Sequence, residues 1–116
     1  MPLVYVSSPY TAATPKKVAA NTKKAVAMGQ HVRAMGGIPI VPHVAVLDFG
    51  VAPSECWDQA MRECLALMAV CDVVLMCEGW EASHGCCEEQ AIAENSSMHV
   101  CYSVADLMGF LERAAA

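Results

Sequence analysis

The segment Gly79 to Glu89, "GWEASHGCCEE", concentrates most of the chemistry in this chain. Within eleven positions it sets an aromatic ring (Trp80), a hydroxyl (Ser83), a glycine that leaves room for a ligand (Gly85) and three carboxylates (Glu81, Glu88, Glu89), directly after the apolar run Val73 to Cys77. A helix starting near Cys86 would aim free N–H groups and the positive end of its dipole back at this loop, a seat for a phosphate or a sugar hydroxyl. Ser83 can donate to that group or cap the helix. Glu89, in the first turn of such a helix, is either a capping or dipole-favoured carboxylate or a reactive one. Glu88, about 100° away around the helix, faces solvent.

Other candidates lie in the first half of the chain. Tyr5 interrupts an aliphatic run, where it is a core aromatic or a hydroxyl that reaches a carboxylate. Ser8, Pro9, Tyr10 and His43 each follow an apolar run and so fall at the mouth of a sheet. His43, after a proline, suits a structural role as well as a binding one. Trp80, after a glycine in a polar loop, suits stacking on a planar ligand or an interface.

The elements that must position these residues follow from periodicity. Leu3 to Ser7 predicts a buried strand that ends at Ser8-Pro9. Thr14-Pro15, a cap followed by proline at the first helical position, opens a helix with an apolar stripe at Val18, Thr22, Ala25, Val26, Gly29 and Val32, stopped by Gly36-Gly37. Ile38 to Val41 predicts a second strand, and Pro39 assigns it to a sheet edge. Residues 44 to 53 read as an irregular loop with room for a fifth strand at 44 to 51. Ser54 and Glu55 predict a capped helix running to about Val70, closed by Asp72. Val73 to Cys77 is the third strand, followed by a helix from Cys86 to Asn95, a strand from Met98 to Tyr102 and a last helix capped by Ser103. Alternation of strands and helices requires parallel strands with long crossovers. The expectation is one α/β domain over residues 1–116, a flavodoxin-like or Rossmann-like three-layer sandwich with a four- to five-stranded parallel sheet. Ligands of such sheets bind beyond the carboxyl ends of the strands, where the connection order reverses.

Composition excludes several classes of function. Hydrophobic residues make up 56 % of the 116 and charged ones 16 %, which argues against disorder and for apolar surface covered by a second subunit, a homodimer or larger. No apolar run approaches the roughly 18 residues that cross a bilayer, and Met1-Pro2-Leu3 carries no basic leader, so no membrane partner and a cytoplasmic location are expected. The net charge is −5, and Lys16, Lys17, Lys23 and Lys24 share one helix as a solvated face, which excludes duplex nucleic acid as partner. Seven cysteines without a CxxC pair imply neither a disulfide framework nor a zinc site. The adjacent Cys86 and Cys87 read as packed thiols rather than reactive ones.

Three stretches, "YVSSPYTA", "GIPIVPH" and "CDVVLMCEGWEASHGCCEEQAIA" from Cys71 to Ala93, resemble the nucleoside 2-deoxyribosyltransferase superfamily, including its deoxynucleoside 5′-monophosphate N-glycosidases. The resemblance implies that Glu89 is the nucleophile that attacks the anomeric carbon of a 2-deoxyribose. It further implies that Tyr5 orients Glu89, that Ser83 and Gly85 hold the 5′ end, and that Ser8, Pro9, Tyr10, His43 and Trp80 line the pocket of a nucleoside or nucleotide. Such chemistry proceeds through a covalent glycosyl-carboxylate and requires no metal or organic cofactor. The family's second carboxylate falls at position 64, which is Cys64 in this chain; Asp58 and Glu63 are the acidic residues on the same helix that stand nearest in sequence to that role. The expected function is cleavage or transfer of the N-glycosidic bond of a 2′-deoxynucleoside or its 5′-monophosphate. The alternatives are a non-catalytic nucleotide or nucleotide-sugar binding module and an assembly subunit without a pocket.

Overall fold

Four short strands, β1 (Leu3–Ser7), β2 (Ile38–Ile40), β3 (Val73–Met76) and β4 (His99–Cys101), form one parallel sheet in the order β2-β1-β3-β4 in the computed structural model, which describes residues 1–116. The chain runs outward from β1 to β2 and then returns past β1 to β3, so the connection order reverses between β1 and β3. Five helices connect and cover the sheet: α1 (Pro15–Ala34), α2 (Pro42–Ala45), α3 (Trp57–Ala69), α4 (His84–Asn95) and α5 (Val104–Ala115). Asp72 pins the start of β1, since Leu3 N donates to its Oδ2 at 2.7 Å and its own N donates to Leu3 O at 2.8 Å.

The pleat divides β1 between two cores. Val4 and Val6 pack with Val73, Leu75 and Cys101 of neighbouring strands, Val32 of α1, and Leu107 and Leu111 of α5. Tyr5 points the other way, with Val74 and Met76, against Ala60, Cys64 and Met68 of α3 and Cys86 and Ala93 of α4. The result is a flavodoxin-like three-layer α/β/α sandwich. As expected, Thr14 and Ser103 cap α1 and α5, accepting from Lys17 N and Asp106 N, and the proline-bearing β2 lies at the edge. No helix is long and apolar enough to cross a membrane.

Three expectations need correction. Residues 44 to 51 hold no fifth strand: Pro42 starts α2, and a 3-10 turn, Leu47–Phe49, follows and ends at Gly50 with φ 115°. Backbone groups there bond locally, with Val41 O accepting from Val44 N and Ala45 N, and Val46 and Leu47 bury against the sheet. The third helix starts at Trp57 rather than after Ser54, because Ala52 O accepts from both Glu55 N and Cys56 N and holds Ser54 in a turn. Finally, α4 begins at His84, with Ser83 as its cap accepting from Cys86 N at 3.3 Å. Glu89 therefore stands in the second turn, too far along for a capping box.

Candidate functional site

Three residues of α4 face the sheet, Cys86, Glu89 and Ala93, so a helix face that should be apolar carries a carboxylate. Glu89 is 6 % exposed. Tyr5 and Ser7, two apart on β1, share the opposing face and hold both carboxylate oxygens: the Tyr5 hydroxyl donates to Oε2, and Ser7 Oγ donates to Oε1 at 2.8 Å. No lysine or arginine pairs with it; a histidine–carboxylate contact joins His84 Nε2 to Oε1 of the exposed Glu88 instead, at 3.5 Å.

Burial pushes the Glu89 carboxyl above the usual carboxylate range, and the bonds from Tyr5 and Ser7 partly offset this. Burial, with the Glu89 charge adding to it, pushes the Tyr5 hydroxyl well up, so Tyr5 remains a donor. The same causes in the same order push the Cys64 thiol up to about 11, and it stays protonated at neutral pH. Around this cluster lies a cavity of about 50 Å³, which roughly one or two waters would fill, so a larger ligand must extend out of it.

The loop after β1 contributes Ser8 and Tyr10 to the cavity, α2 contributes His43, and the start of α4 contributes Ser83 and Gly85. These expected residues converge with Glu89. An added Cβ at Gly85 would sit 3.7 Å from Trp57 Cη2, an ordinary contact, so this glycine keeps the cavity open rather than relieving a clash. Tyr10 donates from its hydroxyl to Asp48 Oδ1 at 2.9 Å and sets its ring edge-on to His43.

Four expected residues do not join them. Pro9 is outside the lining, although its carbonyl accepts from His43 Nε2 at 2.9 Å and so fixes that ring. Trp80 packs on Tyr102, with centroids 5.8 Å apart, and lines a separate cleft beyond β3 and β4. Asp58 and Glu63 are exposed, and Glu63 accepts from Gln59 Nε2 at 3.0 Å. The cavity face of α3 is Trp57, Ala60, Met61 and Cys64. Asp58 and Glu63 each stand one residue, about 100°, off that stripe.

Two residues escaped the sequence reading of the site. Trp57 is an aromatic wall of the cavity, and its i, i+3, i+4, i+7 relation to Ala60, Met61 and Cys64 was a signal that could have found it. Ser7 is the second donor to Glu89, and its place two residues after Tyr5 on one strand was the corresponding signal. All seven cysteines are free thiols, and no three His, Cys, Asp or Glu side chains converge as metal ligands. The family described as Domain of unknown function (DUF4406) matches residues 2–102, which span β1 through β4. No curated protein and no solved structure matches the chain.

Proposed function

The chain belongs to the DUF4406 family, and we propose that in this member Glu89 is the nucleophile of a reaction that cleaves or transfers the N-glycosidic bond of a 2′-deoxynucleoside or its 5′-monophosphate. One observation carries the reading: a carboxylate without a cationic partner is buried at the carboxyl end of β1, its two oxygens held by Tyr5 and Ser7, at the edge of a cavity. Burying a charge this way costs stability, and a purely structural role would be filled as well by a neutral side chain. The likeness to nucleoside 2-deoxyribosyltransferases is part of this proposal.

The ionised Glu89 oxygen attacks C1′ of the sugar. The C1′–O bond forms as the C1′–N bond breaks, and the bonding pair leaves on the base, which takes a proton from solvent or a protic neighbour. Water or a second base then attacks C1′ and gives up a proton to solvent, the C1′–O bond breaks, and the carboxylate is restored. Tyr5 and Ser7 hold Glu89 in one orientation, which favours a single line of attack. The protic groups beside it are Tyr5, Ser7, Cys64 and Cys86, because Asp58 and Glu63 face outward.

A second reading is favoured by Cys64: a binding module that keeps the pocket and lacks turnover. A thiol that burial pushes up to about 11 is a poor general acid near neutral pH, where the best catalyst has a matched pKa. Incubation with a mixture of deoxynucleosides and their monophosphates, followed by chromatography for free base and mass spectrometry for a glycosyl adduct on Glu89, separates the two. Base release with the adduct supports the enzyme; binding without release supports the module. Failure to bind or cleave any of them removes both readings.

A further inference from the structure

The cleft that Trp80 lines shares no residue with the cavity beside Glu89. It lies beyond the carboxyl ends of β3 and β4, between Met28 of α1, the turn that follows β3 and the start of α5. Its volume is about 400 Å³, against about 50 Å³ for the cavity, and falls in the roughly 300–1,000 Å³ range of small-molecule sites.

Two aromatic residues line this cleft, and both are held in place. Tyr102 is 43 % exposed, yet its hydroxyl donates to Glu94 Oε1 at 2.6 Å and accepts from Gln90 Nε2 at 2.9 Å. Trp80 is fixed through its backbone, whose N–H donates to Cys77 O at 3.1 Å and whose carbonyl accepts from Ser83 N at 3.0 Å. Gly79, at φ 87°, makes the turn that carries it. The ring centroids are 5.8 Å apart and the planes tilt by 45°, a corner that offers a rounded group two faces and a flat ring only one. Fixing an exposed aromatic ring costs entropy without the return of burial, and a ligand seated on the ring supplies that burial.

The formal charges that line the cleft have one sign. Glu78 and Glu81 border it, no lysine, arginine or histidine does, and neither carboxylate has a cationic partner. Lys24 borders the adjoining cleft with Glu78 without pairing with it. The positive end of α5 already meets a carboxylate: Ser103 Oγ accepts from Asp106 N at 3.1 Å, and Asp106 Oδ2 accepts from Tyr102 N at 3.2 Å. These charges oppose an anion and favour a cation. We propose that the cleft binds a small quaternary ammonium ion, its methyl groups against Trp80 and Tyr102 and its charge balanced by Glu78 and Glu81. The face of a tryptophan or tyrosine ring attracts such a cation through its quadrupole. A primary ammonium must satisfy three N–H donors, and the Tyr102 hydroxyl is already engaged, whereas a quaternary ion has no N–H to satisfy. The site is independent of the glycosidic reading.

The test titrates ¹⁵N-labelled wild-type protein with choline and with its uncharged isostere, in which carbon replaces the quaternary nitrogen, and follows the Trp80 indole N–H signal. Choline should move that signal and bind about two- to thirtyfold more tightly than the isostere, the range of cation–π pairs. Added salt should narrow the ratio, because it screens the two carboxylates. Trp80→Leu and Tyr102→Leu should each weaken choline binding about two- to tenfold. Glu89→Gln, in the other cavity, should leave it unchanged. An isostere that binds as well as choline overturns the proposal, as does a Trp80 signal unmoved at about 10 mM choline. Tighter binding of butylammonium than of choline overturns the choice of a quaternary ion. Pelleting with phosphatidylcholine vesicles without a response to free choline overturns the choice of a small free ligand in favour of a lipid headgroup. If the aromatic variants do not fold, the comparison of choline with its isostere on wild type decides alone.

Discussion

On the side of the sheet covered by α1 and α5, the buried cluster is apolar throughout, from Val4 and Val6 to Leu107 and Leu111. On the side covered by α3 and α4, alternate residues of the same strand present Tyr5 and Ser7. The three buried polar or charged residues, Ser7, His43 and Glu89, converge there, Ser7 bonded to Glu89 and His43 lining the cavity beside it. One face is close-packed to the point that a Cβ on Gly37 would come within 3.0 Å of Val32 and Val4. The other leaves an opening and a carboxylate held by two hydroxyls without a cationic partner. A five-residue strand thus packs an apolar core with one set of side chains and holds a buried carboxylate with the other, and substitutions on the two sides should have separable consequences.

The largest expected effect breaks the polar side alone. Glu89→Gln should lower base release by more than about 10³-fold, as loss of a nucleophile does, while its Tm at pH 8 equals or exceeds that of wild type because a buried charge has been removed. Chromatographic rates and thermal melts check both halves; an active Glu89→Gln protein would end the nucleophile assignment. Next, Cys64→Asp supplies a carboxylic acid on the cavity face of α3. If a general acid is what limits turnover, base release should rise about 10²- to 10⁴-fold, at a loss of stability from burying a carboxylate at a site 2 % exposed. An unchanged rate in a folded Cys64→Asp protein would show that the acid is not limiting.

Leu107→Ala tests the apolar side. It should cost about 2–5 kcal/mol in urea denaturation and leave the turnover of folded molecules unchanged. A loss of kcat equal to that of a site variant would mean that the faces are coupled. A smaller effect comes from pH. The folded-state pKa of Glu89 is raised, so its stabilising contribution is complete below the ordinary carboxylate value near about 4.3 and is lost as pH rises through the raised value. Wild type should therefore lose stability relative to Glu89→Gln as pH increases across that window, while its activity rises as the nucleophile ionises. Paired denaturation curves from acid to neutral pH measure the difference, and parallel curves would remove the burial argument. Smallest of all, Asp58→Asn and Glu63→Gln should change base release less than about twofold, because both side chains are exposed and off the cavity stripe. A large loss in either would reassign the acid to the outer side of α3.

Local pattern made most of the fold legible. Runs of β-branched residues marked β1 and β3, Thr14-Pro15 and Ser103 marked helix starts, and Pro39 identified the edge strand, because each depends on backbone chemistry within a few residues. The failures share a cause. Residues 42 to 56 satisfy their backbone through short turns, such as the pair of bonds to Ala52 O, which leave no periodic trace. Ser54 resembled a cap, yet the turn at Ala52 displaced the helix to Trp57.

The candidate site divides along the same line. The sequence by itself determined the spacing from Ser83 to Glu89, the phase of Trp57, Ala60, Met61 and Cys64 on one helical stripe, and the alternation that sends Tyr5 and Ser7 to the same side of β1. It left open whether Glu89 was a surface carboxylate of the first turn, whether Trp80 stood beside Glu89, and whether Asp58 or Glu63 turned inward. Tertiary structure decided these, because periodicity fixes the angles between side chains of one element but not the rotation of that element against its neighbours. That rotation is set by packing: Ala60, Cys64 and Met68 seat α3 on the sheet and turn Asp58 and Glu63 outward. In the same way Cys86 and Ala93 seat α4 and bring Glu89 against a tyrosine 84 residues away in the chain.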